Sequence, residues 1–364
     1  MKHARKLLPI VALLLSALVI PVHTASAEVR YTMTVIPGLT PDSAVMPYGI
    51  NSSGQVAGLS QQAGVNQAIL WDGTHSINLG TLPGQSQAYA YAINAFANVI
   101  GVSSTNPAID QRAFLWSAGQ MTDLGVLPGL TASAAWGINA SGQVVGNCFG
   151  GGGKARGFLC SGGQMTALDP LPGGTITQAF AINDAGQIAG ASDTSTGPAH
   201  AVMFSGTTAT DLGTLGGARS SPRGINNLGQ VVGTSDTAEG SQQGFLYTGG
   251  PMIDLGGLLG TTQSSATGIN NCGEVIGQFW VGSMGHAFLY SNGVAVDLNS
   301  LVDLPAGWVL VGAVAINDRG QITAAGVTAS WDSFACVLTP VPEPMSISIL
   351  AIGLLTVTLR GRQR

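Results

Sequence analysis

The sequence predicts an all-β fold, and three features of its 364 residues support that prediction. Each repeat contains short runs with period-two alternation, and Gly-bearing turns separate the runs. The repeats are about 44 residues long, which is the length of one four-stranded propeller blade. Together these features predict a seven-bladed β-propeller. The third feature is an Ile-Asn step that follows a small residue and recurs at spacings of 43, 45, 44, 43, 44 and 47, at Ile50-Asn51, Ile93-Asn94, Ile138-Asn139, Ile182-Asn183, Ile225-Asn226, Ile269-Asn270 and Ile316-Asn317.

The first strand of each repeat ends at Ile-Asn. The residues two and four positions before Asn are small or Pro in all seven repeats, as with Gly137 and Ala135 before Asn139. That restriction is expected where innermost strands converge on the propeller axis, with Ile on the opposite face packed against the neighbouring blade.

The Asn opens a turn that leads to the second strand. The fourth residue of this turn is Gly in six repeats and Ala97 in the other. Asn accepts a hydrogen bond from the backbone two residues on, and Gly adopts a positive φ, so both residues are typical of a hairpin turn. Calcium binding at Asn183-Asp184 and Asn317-Asp318 is the weaker alternative, because no run of alternating oxygen ligands follows.

The third and fourth strands complete each blade, as in residues 112–116 and 121–125. The segment Thr32 to Gly38 aligns with the fourth strand of later repeats, whereas the seventh repeat stops after its third strand, at residues 334–338. An N-terminal strand that completes the last blade would close the ring and remove the open edges. An open solenoid is the alternative, but it does not explain this circular offset.

Both ends of the chain are interpreted as targeting segments. Residues 1–27 have a basic start, an apolar stretch from Leu7 to Ile20 and a cleavage site at Ala25-Ser26-Ala27, which is typical of a secretory signal peptide. The domain is then 28–340, and residues 341–364 form a tail. In that tail Pro342-Glu343-Pro344 is followed by a short apolar transmembrane segment, residues 345–359, and then by three arginines.

The tail resembles the PEP-CTERM sorting signal of Gram-negative bacteria that make extracellular polysaccharide. The resemblance implies that an integral-membrane exosortase cuts near Pro342, Glu343 and Pro344. The protein is then expected at the cell surface or outside the cell, with membrane contact only through the tail before processing. A plain C-terminal membrane anchor is the alternative interpretation, although a 15-residue apolar run is short for a stable span.

The repeats resemble the extracellular HAF repeat. The resemblance rests on residues 285–290, Gly-His-Ala-Phe-Leu-Tyr, and on the recurring Asp-Leu-Gly, Leu-Pro-Gly and Ile-Asn-x-x-Gly elements. It implies a secreted bacterial repeat protein, often of propeller type, and brings no established ligand or activity. The histidine that names the repeat is present only at His200 and His286.

Charge excludes one class of partner. Residues 28–340 hold 17 acidic and 7 basic side chains, a formal charge of −10. Nucleic-acid binding requires clustered Lys and Arg, so nucleic acid is not an expected partner.

Motifs for catalysis and cofactor binding are missing. The sequence has no Gly-x-Ser-x-Gly elbow, His-Glu-x-x-His helix or phosphate loop. His200 and His286 are equivalent positions that could ligate a metal with a carboxylate, but Gln and Arg occupy the same register elsewhere, which favours a structural role. Repetition of Asp123, Asp211 and Asp254 likewise favours structural hydrogen bonding over acid/base catalysis. We therefore expect no cofactor and no metal.

Four cysteines fit an oxidising compartment. Cys148 and Cys160 lie on two arms of one predicted hairpin and are the candidate disulfide. Nothing in the sequence indicates that Cys272 and Cys336 pair.

The sequence favours a secreted, non-catalytic surface or matrix module that binds an exopolysaccharide or a surface protein. A polysaccharide-active enzyme, a lyase or hydrolase on the same scaffold, is the alternative. Recognition is expected on the side of the variable loops, because loops on a rigid scaffold carry function. The aromatic residues three before Asn have an alternative, structural role. Period-two alternation places them on the same strand face as the packed Ile, where they would fill the interfaces between blades. The candidate ligand-binding residues are Tyr48, Tyr91, Trp136, Trp280, His200 and His286.

Overall fold

The computed structural model describes residues 30–107 and 109–341. These residues form seven four-stranded antiparallel sheets arranged as a ring of blades, which confirms the predicted seven-bladed propeller. The predicted signal peptide and sorting motif lie outside the described residues. Within the described ranges, no helix is long and apolar enough to cross a membrane.

Each of the first six blades is built from four consecutive strands. Blade 1 contains β2 (Ala44–Ile50), β3 (Val56–Gln62), β4 (Val65–Trp71) and β5 (Ser76–Asn78). Blade 2 contains β6 (Gln87–Ile93), β7 (Val99–Ser104), β8 (Arg112–Ser117) and β9 (Gln120–Gly125). Blade 3 contains β10 (Ala132–Ile138), β11 (Val144–Phe149), β12 (Ala155–Ser161) and β13 (Gln164–Ala167). Blade 4 contains β14 (Thr177–Ile182), β15 (Ile188–Asp193), β16 (Ala199–Ser205) and β17 (Thr208–Asp211).

The remaining blades follow the same order. Blade 5 contains β18 (Gly216–Ile225), β19 (Val231–Thr237), β20 (Gln242–Tyr247) and β21 (Ile253–Asp254). Blade 6 contains β22 (Ser264–Ile269), β23 (Val275–Val281), β24 (Met284–Ser291) and β25 (Val294–Asp297). Blade 7 contains β26 (Val309–Ile316), β27 (Ile322–Val327), β28 (Ser333–Pro340) and the N-terminal strand β1 (Tyr31–Val35). One short helix, α1 (Leu255–Leu259), and two 3-10 turns, Gly151–Gly153 and Leu298–Ser300, connect strands.

The ring is closed by β1, as predicted from the circular offset. This strand pairs antiparallel with β28, with Tyr31 opposite Pro340 and Val35 opposite Cys336. Blade 7 therefore has its fourth strand, and the two ends of the described chain are joined in one sheet.

Hydrophobic clusters fill the spaces between neighbouring blades. Ile182, for example, belongs to a buried cluster with Val145 and Leu168 of blade 3 and with Phe204 of its own blade. The Ile residues before Asn all belong to such clusters or pack against them, as predicted from the sequence.

A belt of hydrogen bonds joins the innermost strands around the axis. The seven Asn residues, which we call the Asn belt, are 3–6% exposed. Each side-chain Nδ2 donates to the backbone oxygen of the Asn in the next blade, at 2.8–3.2 Å, and Asn317 donates to Asn51 to complete the circle. The predicted bond from the N–H two residues on to Oδ1 is present in five of the seven turns, as at Ser53. In all seven turns Oδ1 also accepts from the N–H four residues on, as at Gln55. The belt thus links every blade to the next.

A β-bulge interrupts every innermost strand three residues before Asn. In blade 2 the pairing skips Tyr91, since Ala90 pairs with Gly101 and Ala92 pairs with Ile100. The same shift occurs in the other six blades. A Cβ atom at Gly101 would overlap the carbonyl oxygen of Tyr89 on the bulged strand, and six of the seven blades have Gly at this position of the second strand. A bulge redirects one side chain out of the alternating pattern.

Candidate functional site

The axis has two different ends. The innermost strands run toward the Asn turns, so the short turns emerge on one side, the turn face. Connections between second and third strands, and between blades, emerge on the other side, the loop face. A cavity lies at each end of the axis, and the seven Ile residues of the Ile-Asn steps line both cavities.

The loop-face end of the axis is a cavity of about 230 Å³, which we call the aromatic vestibule. The bulged residues line it together with the two residues that follow each of them. Four adjacent blades contribute aromatic rings and the other three contribute a guanidinium, a hydroxyl and a small apolar group. These lining residues are Tyr48, Tyr91, Trp136, Phe180, Arg223, Thr267 and Val314.

The aromatic rings contact one another. Tyr91 and Trp136 stack with centroids 4.4 Å apart, and the ring of Tyr48 meets that of Tyr91 edge-on at 5.2 Å. The Arg223 Cζ atom lies 5.7 Å from the centroid of Phe180. The four rings therefore give the vestibule an apolar wall, in which the rings of the first three blades are in contact and that of the fourth has a cation beside it.

This placement corrects the expectation that the residues three before Asn fill blade interfaces. Simple alternation along a strand puts them on the face of Ile. The bulge adds one residue at that point, so the side chain lines the axis instead.

Polar groups extend the vestibule toward blade 1. The Tyr89 ring lies 6.1 Å from that of Tyr91, and its hydroxyl accepts a hydrogen bond from Asn66 Nδ2 at 2.7 Å. Asn66 also donates to Gln87 and accepts from Gln61. Amide and phenol groups thus adjoin the aromatic wall.

The electrostatics of the vestibule favour neutral phenols. Burial, and secondarily Tyr89, raises the pKa of Tyr48, and burial together with Tyr48 and Tyr89 raises the pKa of Tyr91. Both hydroxyls therefore stay protonated at neutral pH, and that of Tyr48 donates to Met46 Sδ at 3.9 Å. The Trp136 Nε1 atom is buried without a hydrogen-bond partner among the described residues. This indole donor has almost no exposed surface, so it does not face a ligand in the vestibule.

The turn-face end of the axis is a polar cavity of about 220 Å³, lined by the Asn belt and the residue after each Asn. Asp184 and Asp318 are among these lining residues, but their carboxylates are paired with neighbouring turns. Asp184 accepts from Ala140 N and Asn227 Nδ2, at 2.9 Å. Asp318 accepts from the backbone N and the side-chain Nδ2 of Asn271, at 2.8 Å. Among the described residues, no group of three or more His, Cys, Asp or Glu side chains is placed to hold a metal. These contacts favour the turn interpretation over calcium.

His200 and His286 lie in the third strands of blades 4 and 6, outside the aromatic vestibule. Their Nδ1 atoms share hydrogen bonds with Asp211 and Asp297 of the fourth strands, at 2.9 and 2.6 Å. Arg112 contacts Asp123 at 2.9 Å in the same register of blade 2. The pairs are a repeated link between third and fourth strands. The 11-residue spacing between the Arg or His and its Asp is present in the sequence. Only the pairing of the third and fourth strands shows that the two side chains are in contact.

Trp280 is also separate from the vestibule. It lies near the end of β23 on the loop face, where its backbone N donates to Gln263 O and its backbone O accepts from Thr261 Oγ1. The structure therefore brings Tyr48, Tyr91 and Trp136 together, adds Phe180 and Arg223 to them, and leaves Trp280, His200 and His286 elsewhere.

The predicted disulfide between Cys148 and Cys160 is wrong. Both thiols are free and buried. In the β11–β12 register Cys148 lies opposite Arg156 and Cys160 lies opposite Val144, so the two are four residues apart along the strands, or about 13 Å. Cys148 Sγ instead accepts from Leu127 N at 3.4 Å.

Comparisons with known proteins identify the fold. No protein-family model matches the chain, and no curated protein sequence matches it. Among solved structures, the chain is similar to the β-propeller domain of the Trilobed protease from Pyrococcus furiosus, with a TM-score of 0.54, 7% identity and coverage of 81% of this chain and 93% of that one. It is also similar to YCF48, solved bound to a D1 peptide, with a TM-score of 0.52, 9% identity and coverage of 86% and 97%.

A puromycin-hydrolyzing peptidase from Mycobacterium tuberculosis is similar at a TM-score of 0.55 and 11% identity, over 84% of this chain and 53% of that one. The chain thus spans about half the length of this peptidase. At such identities the similarities show the fold alone.

Proposed function

We propose that this protein is an exported, non-catalytic binding or structural module of the cell surface or extracellular matrix, and that the aromatic vestibule binds carbohydrate. The wall of four aromatic rings on adjacent blades carries the proposal. Aromatic faces stack on the C–H faces of sugar rings, and the Tyr91 phenol and the Arg223 guanidinium in the lining supply hydrogen bonds to hydroxyls.

The size of the vestibule supports a limited contact. A cavity of about 230 Å³ is smaller than the usual pocket of a drug-sized ligand, so one sugar unit or a chain end fits better than a long segment. Such a contact is weak by itself. A polymer with many ends or branches would be bound through avidity.

The experiment begins with a glycan array on the fragment 28–340 and continues with calorimetry on the best neutral oligosaccharide. Trp136→Ala is expected to weaken binding about threefold to tenfold, because one stacking partner of Tyr91 is removed. Trp280→Ala is the matched control, since it removes a loop-face Trp outside the vestibule and should leave affinity unchanged. Equal binding by wild type and Trp136→Ala would refute the vestibule assignment. Depolymerisation of the bound glycan by wild type would support the enzyme alternative instead.

The proposed route to the surface rests on the tail and on the resemblance to exosortase-sorted proteins. Replacing Pro342, Glu343 and Pro344 with Ala should leave the precursor in the inner membrane, because such a motif is recognised by a receptor and the apolar segment only holds the protein for processing. Cell fractionation with an antibody to the propeller measures the distribution. Normal surface delivery of the triple variant would reduce the tail to an ordinary anchor.

A further inference from the structure

Blade 3 breaks a charge pattern that blades 2, 4 and 6 share. In blades 2, 4 and 6 the Arg or His of the third strand pairs with an Asp 11 residues later. Blade 3 keeps the cation, Arg156, but has Ala167 where the Asp would be. The Arg156 guanidinium donates to the neutral backbone oxygen of Leu168 at 3.4 Å, and within the described ranges neither it nor Lys154 forms an ion pair.

Lys154, Arg156 and Ala167 line one cavity of about 640 Å³, which we call the blade 3 pocket. Three loop-face connections surround it: the loop from blade 2, with Leu127 to Leu130, the loop between the second and third strands, with Gly152 to Lys154, and the loop to blade 4, with Thr175 and Ile176. The volume is in the range of small-ligand sites.

The local charge is opposite to that of the domain. Residues 28–340 carry a formal charge of −10 and only seven basic side chains, yet two of the seven line this pocket and no Asp or Glu is among its lining residues. Asp193 lies beyond the wall formed by Thr175 and Ile176. Burial raises its pKa, but hydrogen bonds from Ile176 N and from Thr175 N and Oγ1 outweigh burial and lower it. That carboxylate is therefore already paired with the loop that leads into blade 4.

We propose that the blade 3 pocket binds a carboxylate, and that the ligand is the uronate unit of an acidic polysaccharide. Arg156 and Lys154 provide the charge-assisted hydrogen bonds that a carboxylate accepts. Leu127, Leu130 and Ile176 provide an apolar surface for the face of a sugar ring. The choice of carbohydrate rests on the proposed function, whereas the choice of an anion rests on the pocket alone.

The most direct test restores the missing partner. Ala167→Asp recreates in blade 3 the pair that Arg112 and Asp123 form in blade 2, so it neutralises Arg156 without removing either cation. Binding of trigalacturonate to the 28–340 fragment, measured by calorimetry, should weaken about tenfold or more. Arg156→Gln, which installs the residue found in this register at Gln67 and Gln243, should have a similar effect.

Thr166→Asp is the matched control. It adds the same charge one residue away, at an exposed position outside the lining of the pocket, so trigalacturonate binding should change less than about twofold. If Thr166→Asp weakens binding as much as Ala167→Asp, the effect is general repulsion and the pocket assignment is overturned.

Two further ligands separate the parts of the proposal. Maltotriose, which lacks carboxylates, should not compete for the pocket, and triglutamate should bind more weakly than trigalacturonate. Triglutamate binding at equal or higher affinity would overturn the carbohydrate assignment in favour of an acidic peptide. Trp136→Ala tests the aromatic vestibule separately, because it should affect the neutral oligosaccharide and leave trigalacturonate binding unchanged. Absence of any trigalacturonate binding by wild type would overturn the blade 3 site.

Discussion

Asn226→Ala tests whether the Asn belt holds the ring together. The side chain is 4% exposed and makes four hydrogen bonds. Nδ2 donates to Gln230 Oε1 and to Asn270 O of the next blade, at 2.7 and 3.0 Å, and Oδ1 accepts from Leu228 N and Gln230 N, at 3.1 and 3.0 Å. Alanine removes all four, so the N–H groups of Leu228 and Gln230 lose this acceptor and Asn270 O loses this donor.

The expected loss follows from these contacts. A net contribution of about 0.5–1.5 kcal/mol for each of the four hydrogen bonds predicts a decrease in the free energy of unfolding of about 4 kcal/mol. For a domain of this size that corresponds to a melting temperature lower by about 6 °C. Urea titration followed by tryptophan fluorescence measures the free energy, and calorimetry measures the melting temperature.

Leu228→Ala is the control in the same turn. Its side chain is 71% exposed, so the free energy of unfolding should change by less than about 0.5 kcal/mol.

Asn226→Asp adds a pH test. The carboxylate would face Asn270 O, so its folded-state pKa is raised, and the variant should be less destabilised at pH 4 than at pH 7. A loss below about 1 kcal/mol in Asn226→Ala would refute the role of the belt.

Three other predictions concern closure, the bulge and the thiols. Deleting residues 30–38 removes β1, so blade 7 should lose its fourth strand and the melting temperature should fall strongly; an unchanged value would contradict closure. Gly101→Ala should destabilise the domain by about 2 kcal/mol or more in urea titration, because the new Cβ overlaps Tyr89 O, and wild-type stability would argue against the bulge. Exposed Cys272 should react with a thiol reagent in the native state, whereas Cys336, whose pKa burial raises to about 12, should react only after unfolding; equal rates would contradict the burial.

The fold could be predicted from the sequence because its information is local and repeated. Ile-Asn steps about 44 residues apart define the blades, and small residues two and four before Asn identify the strand nearest the axis. Closure was also predictable, since the N-terminal segment matches the strand that the seventh repeat lacks. These signals depend on volume, backbone conformation and order along the chain.

The candidate site was predicted only in part. Tyr48, Tyr91 and Trp136 stood out as aromatic residues at one position of successive repeats, but alternation placed them on the wrong face. The bulge that turns them to the axis depends on pairing with the second strand. The Gly residues of that strand are apparent in the sequence, but only the structure shows that they make room for the bulged strand. The same limit explains the cysteines, because Cys148 and Cys160 are near in sequence but separated by strand register.

The sequence by itself determined the repeat, the number of blades and the circular order, because each of these follows from short motifs and from their order along the chain. Only the tertiary structure decided which side chains meet. The bond from Asn317 to Asn51 joins residues 266 positions apart, and the pairing of Arg112 with Asp123 but not of Arg156 with Ala167 appears only when third and fourth strands lie side by side. Contacts across blades and strands depend on register and on ring closure, and no short segment of the chain contains that information.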